Sequence, residues 1–159
     1  MDGLDRWAGP RGELYVAAQA VLFGLIAGGP WLGFSRAGWG GPWVAWPALC
    51  MLGLAGAAAL GALLNLGTNL SALPHPKDNA QLVTGGLYAC VRHPIYAAGL
   101  LGSLSWALYW GSWRAGLGTL LLLGLFDLKA RREERFLAER FPDYAGYQKR
   151  VRRLIPWVY

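Results

Sequence analysis

The feature that most constrains this chain is an unbroken apolar stretch near its start, Leu14–Leu32. As an α-helix, its roughly 19 residues would extend about 28 Å, which matches a hydrocarbon core about 30 Å thick. The composition agrees, because 55% of the residues are hydrophobic and only 15% are charged, a balance outside that of ordinary soluble domains. We therefore predict an integral membrane protein built from α-helices.

Further apolar segments predict an all-α bundle with about four transmembrane helices in one domain, residues 1–159. The predicted spans cover residues 14–34, 43–66, 94–111 and 113–128. The fourth is short, so its helix is expected to continue into a cytoplasmic amphipathic helix and tail over residues 129–159. Within the second span Gly53, Ala57 and Gly61 recur every four residues, a pattern that lets another helix approach closely. That helix can belong to the same chain or to a second copy, so the oligomeric state stays open.

The positive charges predict how the chain is oriented. Thirteen of the 15 Lys and Arg residues fall on one side of the four-span arrangement, and only Arg36 and Arg114 fall on the other. The excess of positive charge on cytoplasmic loops then places both termini and the long loop in the cytoplasm. The basic region after residue 128 directly follows an apolar segment, which favours an anionic lipid leaflet over nucleic acid as its partner. The Ala, Gly, Leu and Arg bias is typical of a bacterial source, so the inner membrane is the expected location.

The longest polar connection, residues 67–93, leads into a candidate binding element. Pro94 fits the first turn of a helix, so the third helix is expected to begin immediately after His93. Arg92 and His93 would then lie at a helix N-terminus, where free N–H groups and the helix dipole favour a carboxylate or phosphate. The alternative interpretation is that both side chains simply anchor the helix among lipid headgroups.

A second candidate element is the acidic pair Glu133 and Glu134. At 100° per residue, Glu133 falls on the stripe of Phe126, Ala130 and Leu137, and Glu134 lies at its border. Arg131, Arg132 and Arg135 fall on the opposite side. An acid turned toward a bundle interior is costly without a partner, which indicates a functional site. The alternative is that both acids pair along the helix or face solvent.

These elements recur in a fixed order with further aromatic and basic residues. The order is Arg92-His93-Pro94-x-Tyr96, an apolar hairpin, Glu133-Glu134-x-x-Leu137, Phe141-x-x-Tyr144-x-x-Tyr147 and Arg153-x-Ile155-Pro156. Over Leu82–Pro156 this order resembles the isoprenylcysteine carboxyl methyltransferases and their phospholipid-methylating relatives. Leu87 departs from the pattern, since many members have Pro at that place, and we expect it to alter the turn more than the chemistry.

The resemblance implies a cytoplasmic cleft for S-adenosylmethionine, from which S-adenosylhomocysteine is the product, and it implies no metal. The cofactor-binding residues that carry over are Tyr88, His93, Pro94, Tyr96, Glu133, Glu134, Tyr144 and Tyr147. The catalytic residues are Arg92, Glu134 and Arg153. Glu133 or Glu134 suits the cofactor ammonium, and His93 with its helix start suits the carboxylate or adenine side. Arg92 or Arg153 is expected to hold an anionic acceptor.

The predicted function is S-adenosylmethionine-dependent methyl transfer to a lipophilic small molecule or lipid at the cytoplasmic membrane face. The sequence does not decide between a carboxyl, an amine or another acceptor group. Two alternatives remain open at this point: a membrane reductase that binds NADPH, similar to the sterol reductases, and a non-enzymatic helical scaffold.

Overall fold

The computed structural model describes residues 9, 12–33, 37–71, 73 and 81–159. Within this part of the chain the architecture is all-α, as predicted. The α-helices are α1 (Glu13–Gly28), α2 (Pro42–Leu66), α3 (Pro94–Trp110), α4 (Trp113–Arg140) and α5 (Tyr144–Arg150). Short 3₁₀ turns cover Gly29–Leu32, Gly67–Asn69 and Gly86–Ala89. Residues 72 and 74–80 of the polar connection lie outside the described residues, as do Arg36 and residues 1–8.

Two helical segments are long and apolar enough to cross a bilayer, Glu13–Leu32 and Pro42–Asn69. Their ends follow from local chemistry, since Pro42 occupies the first turn of α2 and Gly67 ends that helix with a positive φ of 52°. Most of their large side chains face outward, as expected for helices in contact with lipid. Among the described residues, these two candidate spans coincide with the first two predicted spans, and the number of spans stays a prediction.

Helices α3 and α4 form a hairpin whose turn was predicted at Gly111 and Ser112. Gly111 adopts the left-handed conformation at the end of α3, and the Ser112 side chain caps α4 by accepting from the Ala115 N–H at 3.3 Å. Helix α4 then continues without a break for 28 residues, about 42 Å. The predicted continuation of the fourth helix into the charged region is confirmed.

Helix α3 lies between α2 and α4, and α1 packs on α4. The predicted stripe of small residues does not form the face of α2 that packs on α3, because Gly53 and Ala57 are exposed and Gly61 lies beside Leu87. Packing of this stripe against a second copy stays a prediction. The buried residues of α2 are Ala48, Ala55 and Ala62 instead. Their spacing of seven residues is two helical turns, which keeps one face toward α3.

The charged part of α4 is more buried than a single helix predicts. Arg132 was expected on the exposed side, yet it is 6% exposed. Its guanidinium donates to the Gly9 carbonyl at 2.7 Å and lies over the Tyr15 ring. Gly9 and Tyr15 therefore cover this face of α4, and the periodicity of α4 alone does not predict that contact.

After α5 the chain turns back and crosses the start of α3. The N–H groups of Arg92 and His93 donate to the carbonyls of Arg152 and Arg153 at 2.8 and 3.0 Å. Farther along, the Tyr159 hydroxyl donates to Asp127 on α4 at 2.6 Å. Residues 151–159, which we call the tail strap, thereby fasten the beginning of α3 to the middle of α4.

Candidate active site

The candidate site lies where the start of α3, the middle of α4, α5 and the tail strap meet. The structure brings together all the predicted site residues: Tyr88, Arg92, His93, Pro94, Tyr96, Glu133, Glu134, Tyr144, Tyr147 and Arg153. They divide into a buried ion cluster centred on Glu134 and the wall of a cavity that contains Glu133.

Glu134 is the centre of the ion cluster, and its side chain is only 5% exposed. One carboxylate oxygen accepts from Arg92 Nε at 2.9 Å, from Arg153 Nε at 3.1 Å and lies 3.2 Å from His93 Nε2. The other accepts from Arg153 at 2.9 Å and from the Gln148 amide at 3.2 Å. Both oxygens are thus fully used by protein donors.

These contacts determine the charge of Glu134. Burial acts to raise its pKa, but hydrogen bonds from His93 and Arg153 and the charge of Arg92 outweigh burial and lower the pKa to about 2. The carboxylate is therefore ionised at any physiological pH. Its negative charge offsets part of the positive charge of the two buried arginines.

Arg92 is the second member of the cluster, with 8% of its side chain exposed. Besides Glu134 it donates to the carbonyls of Gln148, at 3.1 Å, and Val151. The side chain therefore points inward and fastens the tail strap, and it does not extend to lipid headgroups. An anion was predicted to bind at free N–H groups of the helix N-terminus. The N–H groups of Arg92 and His93 do not contribute to such a site, because carbonyls of the tail strap accept from both.

Glu133 has the opposite environment. Its side chain is 29% exposed and lines the cavity. The Tyr96 hydroxyl donates to it at 2.8 Å, and His93 Nδ1 lies 3.7 Å away. Periodicity predicted Glu133 as the inward acid and Glu134 as the border acid, but Glu134 is the more buried because Arg92 and the tail strap cover it.

A stack of rings holds the cavity wall in place. The His93 ring lies parallel to Tyr96 with centroids 5.2 Å apart, and Tyr96 stacks on Phe126 at 4.6 Å. Phe126 belongs to the hydrophobic core between α1, α3 and α4. The orientation of Tyr96, and through it of Glu133, is therefore fixed by packing in the bundle.

Three further tyrosines, Tyr88, Tyr144 and Tyr147, form the part of the wall next to α5. The Tyr147 hydroxyl donates to the Tyr88 carbonyl at 2.5 Å, and burial raises the pKa of Tyr147 to about 12. Tyr144 is 1% exposed and lines the cavity, yet its hydroxyl has no hydrogen-bond partner among the described residues. Burial and the charge of Glu134 raise the pKa of Tyr144, so this hydroxyl stays protonated. An unpaired donor in a buried wall indicates a place for a ligand acceptor.

The cavity has further polar lining residues that sequence analysis did not identify, above all Gln19 and Lys129. Both carried a signal. Gln19 is the only side-chain amide or charged group in the stretch Leu14–Leu32, and Lys129 lies one turn before Glu133 on the same face of α4. Gln19 was missed because it lies far in sequence from the Arg92–Tyr96 motif. Lys129 was missed because it resembles the other basic residues that follow residue 128.

A second cavity, the apolar groove, lies at the level of the membrane helices. Helices α1, α2, α3 and α4 all contribute to it, with residues such as Phe23, Leu52, Gly99, Trp106 and Phe126. Gln19, Ile95 and Tyr96 line both cavities. We call the first cavity, which Arg92, Lys129 and Glu133 line, the polar cavity. The polar cavity and the apolar groove therefore adjoin at Gln19, Ile95 and Tyr96.

Comparison with known proteins agrees with this architecture. The model of a family described as phospholipid methyltransferase matches residues 43–144. The cobalt-zinc-cadmium resistance protein CzcN of Cupriavidus metallidurans is 34% identical over 129 residues, which is 77% of this chain and 56% of that protein. The protein-S-isoprenylcysteine O-methyltransferase of Schizosaccharomyces pombe is 33% identical over 101 residues, which is 61% of this chain and 43% of that protein.

A solved structure shares the fold. The eukaryotic intramembrane Ras methyltransferase, an isoprenylcysteine carboxyl methyltransferase, superposes with a TM-score of 0.67 over 94% of this chain and 55% of its own, at 22% identity. With its apolar helices and this fold, the chain is an integral membrane helical bundle. It belongs to the phospholipid methyltransferase family, whose model covers most of its length. The chain spans about half the length of the relatives it matches.

Proposed function

We propose that this protein is an S-adenosylmethionine-dependent methyltransferase that acts on a lipophilic acceptor at the cytoplasmic face of the membrane. The observation that supports it best is the junction of two unlike cavities, one polar with a carboxylate wall and one apolar between helices. A water-soluble charged cofactor and an apolar acceptor would meet there. The two named methyltransferases among the relatives support the same reaction class.

The residues of the polar cavity suit the proposed cofactor. When bound, S-adenosylmethionine supplies a methyl group already activated by a sulfonium. The carboxyl group of Glu133, which is partly exposed, suits its ammonium group, and the unpaired Tyr144 hydroxyl suits an acceptor atom of its carboxylate or adenine. His93 and Tyr88 line the same cavity and suit the adenine side.

Glu134, Arg92 and Arg153 have a different role in this proposal. Their donors and acceptors are occupied by each other and by carbonyls of the tail strap, so they position the site. By holding the start of α3 against α4, they fix His93 and Tyr96 relative to Glu133. Methyl transfer needs chiefly in-line placement of the reacting atoms, so a rigid support of this kind contributes directly to the rate.

The apolar groove is the proposed path of the acceptor. Its lining is mainly Phe, Leu, Ile, Ala and Gly from four helices, with Ser103 and Trp106 as polar exceptions away from Gln19 and Tyr96. An acceptor with an apolar tail would enter sideways from the bilayer and bring its head to the junction. Exclusion of water from this place strengthens the electrostatic contacts around the reacting groups.

Calorimetry on purified protein in detergent tests the cofactor. We expect S-adenosylmethionine and S-adenosylhomocysteine to bind, and NADPH not to bind. Selective binding of NADPH would favour a reductase, and binding of neither would favour a scaffold.

Cysteine-accessibility labelling tests the orientation in the membrane. Single cysteines near Gln81 and Gln148 should be labelled from the cytoplasmic side, and one near Gly40 from the other side, because of the excess of basic residues around the first two. The native Cys50 and Cys90 are exposed and would first be replaced by Ser. Opposite-side labelling of Gln81 and Gln148 would exclude one cytoplasmic site.

A further inference from the structure

Lys129 is a cation buried at the wall of the polar cavity, with 3% of its surface exposed. Its Nζ donates to the Gln19 side-chain oxygen at 2.8 Å and lies 5.2 Å from the centre of the Tyr96 ring. An ammonium group has three donors, and among the described residues Gln19 is its one hydrogen-bond acceptor. A neutral amide and a ring face compensate a buried charge only in part.

No neighbouring carboxylate among the described residues neutralises the charge of Lys129. Burial lowers the pKa of Lys129 and the charge of Glu133 raises it, with burial the larger effect. Within the described residues no carboxylate forms a salt bridge with Lys129. In the proposed function the cofactor ammonium takes up the charge of Glu133. Lys129 then remains as the one cavity-lining cation without an anionic partner, since Arg92 pairs with Glu134.

Lys129 and Gln19 lie at the junction of the two cavities. Gln19 and Tyr96, the two contacts of Lys129, are both among the residues that line the polar cavity and the apolar groove. The Nζ therefore lies where the head of a molecule seated in the apolar groove would arrive. Gln19 belongs to α1, which precedes the part of the chain matched by the family model, residues 43–144.

We propose that Lys129 and Gln19 select the methyl acceptor: an anionic oxygen at the head of a lipophilic acceptor displaces the Gln19 amide and pairs with the Lys129 ammonium. This inference rests on the proposed function. It names the acceptor class as a carboxylate or another acidic oxygen on an apolar tail. A neutral amide or an amine of the same length lacks the negative charge that Lys129 requires.

The test uses three pyrene-labelled probes of one chain length: a dodecanoic acid, its primary amide and the corresponding amine. Protein in lipid nanodiscs is saturated with S-adenosylhomocysteine, and saturable energy transfer from Trp to pyrene is measured, with empty nanodiscs as background. Wild-type protein should bind the acid on the order of tenfold to a hundredfold more tightly than the amide, as expected for a charge-assisted contact. Equal binding of acid and amide, or tighter binding of the amine, would overturn the proposal.

Variants of the protein test whether Lys129 and Gln19 cause the preference for the acid. Lys129→Gln should remove the preference for the acid, and Lys129→Arg should keep it. Gln19→Ala should bind the acid several times more tightly, because no amide has to be displaced. Lys149→Gln is the matched control, since it removes an exposed lysine of α5 and should leave the preference unchanged. A preference for the acid that persists in Lys129→Gln would show that another residue selects the acceptor.

The affinity for S-adenosylhomocysteine separates this proposal from the proposed function. If the Lys129→Gln variant binds S-adenosylhomocysteine normally, it is folded. Loss of the preference for the acid in that variant then supports Lys129 as the residue that selects the acceptor. If wild-type protein binds S-adenosylhomocysteine but shows no preference for the acid, only the acceptor assignment fails. If it binds no adenosyl cofactor, the proposed function fails.

Discussion

Two neighbouring carboxylates on α4 have opposite environments. Glu134 is covered by Arg92, Arg153 and the tail strap, and both of its carboxylate oxygens accept hydrogen bonds from protein donors. Glu133 accepts one hydrogen bond, from Tyr96, and lines a cavity. The comparison shows that the segments covering two adjacent acids can make one of them a buried partner of arginines and leave the other facing a cavity.

The largest expected effect is loss of stability when Glu134 is removed. Glu134→Ala leaves the inward-facing Arg92 without its acid and leaves Arg153 with Asp127 alone, and removing one partner from a buried ion pair costs about 3–5 kcal/mol. Thermal unfolding in detergent, followed by fluorescence or by aggregation, should show a large decrease in the midpoint. Glu139→Ala is the control, since it removes an exposed acid of the same helix. Equal midpoints for the two variants would mean that the ion cluster does not support the fold.

Lowering the pH should also decrease the stability of the protein, because it protonates Glu134. The pKa of Glu134 is lowered from 4.5 to about 2 in the folded protein, so the stability it contributes is fully present above about pH 4.5. That contribution should be lost as the pH falls through the window from about 4.5 to about 2, as the carboxylate takes up a proton. Glu134→Gln carries no such group, so its stability should depend less on pH in this window. Parallel curves for the two proteins would contradict the assignment.

Glu133→Gln should have a smaller effect, confined to binding. The change removes a charge-assisted contact with the proposed cofactor worth about 1.5–3 kcal/mol, a loss of affinity of roughly tenfold to a hundredfold. The unfolding midpoint should hardly change, because the amide oxygen still accepts from Tyr96. Calorimetry with S-adenosylhomocysteine measures the affinity. Normal affinity in well-folded protein would remove Glu133 from the binding site.

The smallest effect is expected for Tyr144→Phe. The hydroxyl makes no hydrogen bond within the described residues, so its loss should not destabilise the protein. A neutral hydrogen bond to a ligand is worth about 0.5–1.5 kcal/mol, so affinity for S-adenosylhomocysteine should fall roughly twofold to tenfold. Tyr109→Phe is a control at the far end of α3. A loss of stability without a change in affinity would assign the Tyr144 hydroxyl to the fold.

Much of the framework could be predicted because its causes are local. Pro94 begins α3, Gly111 and Ser112 form the turn, and the helix of residues 113–128 continues into the charged region. Each of these features depends on a proline, a glycine or a cap within a few residues. The gathering of the motif residues into one site was also predicted, but through a family resemblance and not through local chemistry.

The errors share one cause. Periodicity along α4 placed Glu133 inward, Glu134 at the border and Arg132 outside, and it described only the apolar pattern of that helix. Gly9 and the α1 residue Tyr15 cover Arg132, and the tail strap covers Glu134. Similarly, small residues on α2 indicated close packing, but which small residues face α3 depends on where α3 lies.

By itself the sequence determined the membrane class, the helix boundaries and the residues available for chemistry, because hydropathy and capping act over a few turns of one helix. Only the tertiary structure decided which acid is buried among arginines and which faces the cavity. It also placed Gln19 beside Lys129 across 110 residues of chain. The physical reason is that burial and partners of a charged group are set by whatever segment packs against it. Here these segments, α1 and the tail strap, are far away in sequence.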